Sequence, residues 1–182
     1  MPLRDIQGPA GRLEAILEEP VSERRVGTDG LVEAGGSEGI RAAVVFGHPH
    51  PQYGGTMHNK VVYHSTKALV RIGCAVLRFN FRGTGLSEGT FDAGIGERDD
   101  FHAALDFMAS RYPDRRLWAA GMSFGAWVGM NAGAGDPKVT TLLGVAIPVM
   151  YDFDEVAESA QAKFFIHGER DELSALKEVR EF

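Results

Sequence analysis

Apolar and polar residues alternate over residues 13–19, as in a strand with one face exposed, and Pro20 ends the pattern. Residues 21–39 are polar and glycine-rich and predict a second, edge-like strand or hairpin. The run 40–46 is the first continuous apolar stretch and predicts a buried strand, stopped by Gly47-His48-Pro49-His50-Pro51. From 59 to 72, Val61, Val62, Ala68, Leu69 and Ile72 fall mostly on one helical face, with Gly73 as the stop. A strand over 75–81 leads into a glycine-rich loop over 82–96. Phe101, Leu105 and Met108 then predict a helix over 98–111. Further strands are expected at 116–120, 139–149 and 163–167, with a helix over 126–134 and another beginning at 173. Strands alternating with amphipathic helices predict one α/β domain over 1–182 with a mainly parallel sheet.

Between the strand 116–120 and the helix 126–134 lies Gly121-Met122-Ser123-Phe124-Gly125. Glycine is abundant, at 23 of 182 residues, so the pentapeptide alone says little. Its position on a strand–helix corner makes it a G-x-S-x-G nucleophile elbow. In so tight a turn a β-carbon at either glycine would collide with neighbouring backbone. The corner lifts the Ser123 hydroxyl off the sheet edge. It also places the Phe124 amide at a helix N-terminus, where an unpaired N–H and the positive dipole end can hold an oxyanion.

Length allows one domain with a full core. A net charge of −6 and a pI near 5.5 argue against nucleic-acid and anionic-membrane partners. The N-terminus has no apolar leader region and no apolar run reaches spanning length, and the single cysteine, Cys74, fits a reducing compartment; a cytoplasmic protein is expected.

An elbow serine needs a base and a carboxylate that orients it, in the order Ser, acid, His in this architecture. Asp171, just past the strand 163–167, is the best acid, with Glu169, Glu172, Asp152 and Asp154 as rivals. No histidine follows Asp171, and His48, His50, His58, His64 and His102 all precede Ser123. His167, at the end of its strand, reads as packed. A second oxyanion amide is expected from the loop after 40–46. Pro49 and Pro51 have no N–H, so His50, Gln52 and Tyr53 are the possible donors, and His50 is favoured.

Other chemistries are less well supported. His48, His50 and His58 supply three imidazoles, but no nearby Asp, Cys or further His completes a metal set, so no metal and no cofactor are expected. Cys74 reads as a buried, inert thiol. Gly83-Thr84-Gly85 follows a strand, but the next glycine falls one place late for a dinucleotide loop.

Taken together, His48-Pro49-His50-Pro51 with Gly54-Gly55, Asn80-Phe81-Arg82-Gly83 with Gly85 and Ser87, the Ser123 elbow, and His167-Gly168 with Asp171 resemble an α/β-hydrolase. The resemblance is to the compact dienelactone-hydrolase-like serine hydrolases. Dienelactone hydrolases themselves carry cysteine at the Ser123 position, so lactone specificity does not follow. The resemblance implies a three-layer fold, with helices on both faces of an eight-stranded, mostly parallel sheet, and a Ser–Asp–His triad. It places the histidine in a loop after one more strand beyond Asp171, so the natural chain is expected to continue past Phe182 with that strand and a closing helix. Residues 150–162 leave no room for a cap domain, and the pocket is expected to be walled by Tyr53, Phe124, Met150, Tyr151 and Phe153. The expected activity is hydrolysis of a small ester, thioester or amide through Ser123 and Asp171, with Phe124 and His50 as oxyanion donors. The alternative is a non-catalytic binding or scaffold protein of the same fold.

Overall fold

The computed structural model describes residues 4–21, 39–171, 174 and 176–181. Its frame is a seven-stranded sheet in the order β1-β2-β4-β3-β5-β6-β7. β1 (Asp5–Gly8) and β2 (Gly11–Glu18) form an antiparallel hairpin at one edge, and β2 runs antiparallel to β4 (Cys74–Phe79), with Ala15 opposite Phe79. From β4 the sheet is parallel through β3 (Ala42–Gly47), β5 (Arg116–Met122), β6 (Val139–Val145) and β7 (Ala162–Ile166). Every residue of β3 and β4 is buried, which is why they read as near-continuous apolar runs, broken only at Arg78, which pairs with Glu18: helices cover both faces of a parallel centre.

Chain direction positions the site. After β3 the chain crosses through α1 (Lys60–Arg71) to β4 on one side; it then returns through α2 (Ile95–Arg111) to β5 on the other. Loops leaving β3 and β5 therefore part at a topological switch point, where parallel sheets open a crevice. The register sets Gly47 beside Gly121, so the glycine ending β3 faces the first glycine of the elbow.

The helices obey local signals. Asn59 caps α1, its side chain accepting from the Val61 amide at 2.9 Å. α2 starts at Ile95, ahead of the expected residue 98. Buried Glu97 reaches back to the amides of Gly94 (2.7 Å) and Asp92 (2.9 Å), which starts the helix earlier than its apolar spacing shows. Phe101, Leu105 and Met108 are fully buried as expected, in a core that includes Phe79, Phe81, Phe124 and Leu142. A second core on the opposite face gathers Val44, Phe46, Val62, Leu69 and Val76.

Several expectations change. The stripe that α1 buries is Val62, Thr66 and Leu69, whereas Val61 and Ile72 are exposed. β6 ends at Val145, because Ala146 adopts a left-handed φ of 49° that turns the chain out of the sheet. A short helix, α4 (Asp154–Glu158), occupies part of the 150–162 segment, and α5 (Leu176–Glu181) begins after residue 173. The hairpin partner of β2 is β1; the strand or hairpin expected within 21–39 falls almost wholly outside the described residues. None of the described helices is long and apolar enough to cross a membrane.

The loop after β4 is pinned to α2 by one ion pair. Arg82 donates through Nη2 to Asp100 Oδ1 at 2.7 Å and through Nε to Oδ2 at 3.0 Å, and its amide reaches Oδ2 at 2.9 Å. Asp100 is fully buried. Removing one partner of such a pair strands the other charge, so Asp100→Ala is expected to cost about 3–5 kcal/mol in urea unfolding. A loss below about 1 kcal/mol would show that the loop is held by other contacts.

Candidate active site

The elbow closes at Ser123, between β5 and α3 (Phe124–Ala134), with φ 52° and ψ −121°. This strained conformation, unusual for a residue with a side chain, costs on the order of 1–3 kcal/mol and persists only where the surroundings impose it. Here they do. A Cβ on Gly125 would lie 2.5 Å from the carbonyl oxygens of Gly47 and His48, and one on Gly47 would lie 2.9 Å from the Gly125 carbonyl oxygen. A Cβ on Gly121 would overlap the Gly125 carbonyl. The ends of β3 and β5 and the first turn of α3 thus meet backbone to backbone. The Ser123 carbonyl accepts from Ala126 (2.8 Å) and Trp127 (3.0 Å), while its half-buried hydroxyl makes no capping bond.

His48 ties the loop after β3 to the loop after β4. Its Nδ1–H donates to the Pro49 carbonyl at 2.6 Å and its Nε2 accepts from the Phe81 amide at 3.1 Å, which fixes the tautomer. The ring is fully buried, and burial pushes its pKa down to about 4, so it is neutral at pH 7. Beyond it, Pro51–Tyr53 form a single 3₁₀ turn that consumes two of the three possible donors. The Gln52 amide binds His50 Nδ1 at 3.3 Å and the Tyr53 amide binds the His50 carbonyl at 3.1 Å. Among the described residues the His50 and Phe124 amides donate to no partner, the latter because it opens a helix.

The His50 ring packs against Tyr53, Phe91 and Phe124, with centroids 4.7, 5.2 and 4.8 Å away. Burial lowers its pKa, opposed by the Glu97 carboxylate. Ser123, Phe124, His50, Tyr53, Met150, Tyr151 and Asp171 all line one cavity of about 520 Å³. Phe153 does not belong with them: it is 3% exposed and packs into the core where α4 begins. Trp127, which the sequence reading passed over, stands behind this wall and stacks on Tyr151 at 4.6 Å. Its signal was a second aromatic, after Phe124, in the first turn of a helix otherwise made mostly of small residues.

Asp171 follows β7, its Oδ1 accepting from the Ser174 amide at 3.1 Å. His167 is packed, as expected: its side chain is 3% exposed and its Nε2 donates to the Ser174 carbonyl at 2.6 Å, with Asp171 Oδ2 farther off at 3.9 Å. None of the described rival acids lines the Ser123 cavity. Asp152 caps the Asp154 amide at 2.8 Å, Glu169 is exposed, and Glu172 lies outside the described residues. His58 lines a separate cleft with Arg4, Arg12 and Glu14; His64 is exposed on α1, and His102 is half-buried on α2. Among the described residues no three His, Cys, Asp or Glu side chains are grouped to hold a metal. Cys74 is buried at the start of β4, and burial raises its thiol pKa.

Two outcomes follow from the packing. Gly125→Ala is expected to destabilise the fold by about 1–3 kcal/mol, read by urea unfolding, because backbone on both sides must move. An unchanged midpoint would contradict the backbone contact. The unfolded chain protonates His48 near 6.5, whereas the folded chain resists until about pH 4. The stability it contributes is therefore complete above pH 6.5 and falls, by roughly 3 kcal/mol, as the pH drops toward 4. His48→Asn should be less stable at pH 7 and show a shallower decline over that window; parallel declines would count against a buried neutral imidazole.

The comparisons agree with this geometry. Residues 39–165 match the family model described as serine aminopeptidase, S33, of the hydrolases. An uncharacterized protein of Rickettsia prowazekii is 36% identical over 186 residues, covering 100% of this chain and 71% of the relative. An alpha-beta serine hydrolase homologue from Coxiella burnetii is 35% identical with a TM-score of 0.82, covering 100% of this chain and 81% of its own. A Xanthomonas campestris a/b serine hydrolase, described as without lid, is 31% identical with a TM-score of 0.80, covering 100% and 76%. With a seven-stranded, mostly parallel sheet, a serine elbow at its switch point and these relatives across its whole length, the chain belongs to the α/β-hydrolase superfamily as a serine hydrolase homologue.

Proposed function

We propose that the protein cleaves a small, uncharged ester, thioester or amide through an acyl-enzyme on Ser123. The observation that carries this is the strained Ser123 hydroxyl facing a cavity beside two amides, Phe124 and His50, that are spent on no other bond. Ser123 Oγ attacks the carbonyl carbon, and the C=O electron pair moves onto oxygen, where the two amides hold it. The serine proton passes to an imidazole and then to the departing alcohol, thiol or amine. Water, activated by the same imidazole, releases the acid and restores Ser123.

Asp171, on the wall of the same cavity, orients that imidazole. The described histidines are poorly suited to the base role. His48 spends both nitrogens on backbone, His167 is held on the Ser174 carbonyl, and His50 accepts from Gln52 through Nδ1. We therefore assign the base to a histidine outside residues 1–182. Among the described residues the cavity wall carries no lysine or arginine, and Arg82 is paired with Asp100, which favours an uncharged substrate.

A fluorophosphonate probe tests the reading. The natural protein should be labelled, and Ser123→Ala should not; equal labelling of both, or of neither, would instead favour a non-catalytic binding protein. Residues 1–182 alone should hydrolyse nitrophenyl esters at least about a thousandfold more slowly than an enzyme with its base, since the oxyanion amides alone retain only residual activity. Ordinary esterase turnover by residues 1–182 would make a described imidazole, His50 foremost, the base.

A further inference from the structure

A chain of aromatic rings runs past Ser123. Tyr53 packs on His50, His50 on Phe124 at 4.8 Å, Phe124 on Trp127 at 5.6 Å, and Trp127 stacks on Tyr151 at 4.6 Å with the planes 19° apart. Its two ends come from different parts of the chain, the loop after β3 and the segment after β6, yet both line the Ser123 cavity. Tyr53 is 87% exposed there and Tyr151 36%, so large ring surfaces are left to solvent at the two ends of an array whose middle is buried or half-buried.

Tyr151 is held in place. Trp127 covers one side of its ring and donates through Nε1 to the Asp152 carbonyl at 2.9 Å, where Asn131 Nδ2 also donates at 3.1 Å. The Tyr151 amide closes a turn onto the Pro148 carbonyl at 3.0 Å. A fixed ring loses little freedom on binding a second ring, so stacking there contributes to affinity with little ordering cost. Among the described residues the wall carries no fixed positive charge: burial lowers the pKa of His50, and the carboxylate of Asp171 disfavours anions.

We propose that this site selects substrates carrying a flat, uncharged aromatic ring close to the scissile carbonyl, the ring stacking on Tyr151. The chemistry rests on the serine-hydrolase reading; the binding preference does not. Saturated rings are more hydrophobic than phenyl, so area burial alone favours cyclohexyl, and a preference for phenyl isolates stacking.

The test uses Ser123→Ala in the natural protein, titrated with 3-phenylpropanamide and N-benzylacetamide against their cyclohexyl counterparts, and followed by Trp127 fluorescence and ligand-observed NMR. At least one phenyl ligand should bind about fivefold more tightly than its cyclohexyl partner. Which of the two does so tells whether the ring sits on the acyl or the leaving-group side. Tyr151→Leu should abolish the preference and Tyr151→Phe should keep it. Equal binding of phenyl and cyclohexyl ligands, a preference that survives Tyr151→Leu, or no binding at millimolar ligand would each overturn the proposal. Fluorophosphonate labelling of the wild type runs alongside. Labelling without a ring preference removes this inference and leaves the hydrolase reading standing, and a ring preference without labelling does the reverse.

Discussion

Three stretches of backbone meet at Gly47, Gly121 and Gly125 with no side chain between them, and the rest of the site depends on that contact. A glycine at each position lets β3, β5 and α3 approach more closely than any other residue would permit. The approach forces Ser123 into its strained conformation, and the same turn leaves the Phe124 amide at the head of α3. It also fixes the height at which the loop after β3 leaves the sheet. Ser123 and both candidate oxyanion donors are therefore set by one packing event, with the strain offset by the burial of the sheet and helix around it.

Polar groups then hold the loops that the sheet cannot. Buried His48 joins Pro49 to Phe81, Asn80 accepts from the Met57 amide at 2.8 Å and donates to Glu14 at 2.7 Å, and Arg82 reaches Asp100. Each of these groups is buried or partly buried and satisfied, the condition under which a polar network rigidifies a site. The residues around Asn80 and Ser87, whose Oγ donates to the Asn80 carbonyl at 2.7 Å, bind the post-β4 loop to β2. That is why the glycines at 83 and 85 serve a tight turn here and need no phosphate to explain them. Gly85, with φ 56°, would place a Cβ 2.5 Å from Glu14 and Asn80.

The central strands and the elbow were legible in the sequence because burial on both faces leaves a near-continuous apolar run, and a strand–helix corner leaves glycines. β1 escaped because its four residues carry too little pattern. The start of α2 escaped because Glu97 acts through its side chain on amides behind it. Phe153 went to the core for a similar reason: spacing shows that a residue is apolar but not whether a short helix turns it inward. The choice among His50, Gln52 and Tyr53 amides needed the 3₁₀ turn, in which two of them are consumed. Order along the chain was enough to nominate Asp171, whereas its place on the wall of the Ser123 cavity came only with the fold.

The central claim is that the backbone contact at the elbow aims two amides at one point beside Ser123. A crystal structure of the natural protein carrying a phosphonate on Ser123 tests this most directly. The account predicts the phosphoryl oxygen at about 2.7–3.1 Å from both the Phe124 and His50 amides. A phosphoryl oxygen turned to solvent, or bound instead by the Gln52 or Tyr53 amide after the 3₁₀ turn opens, would contradict it.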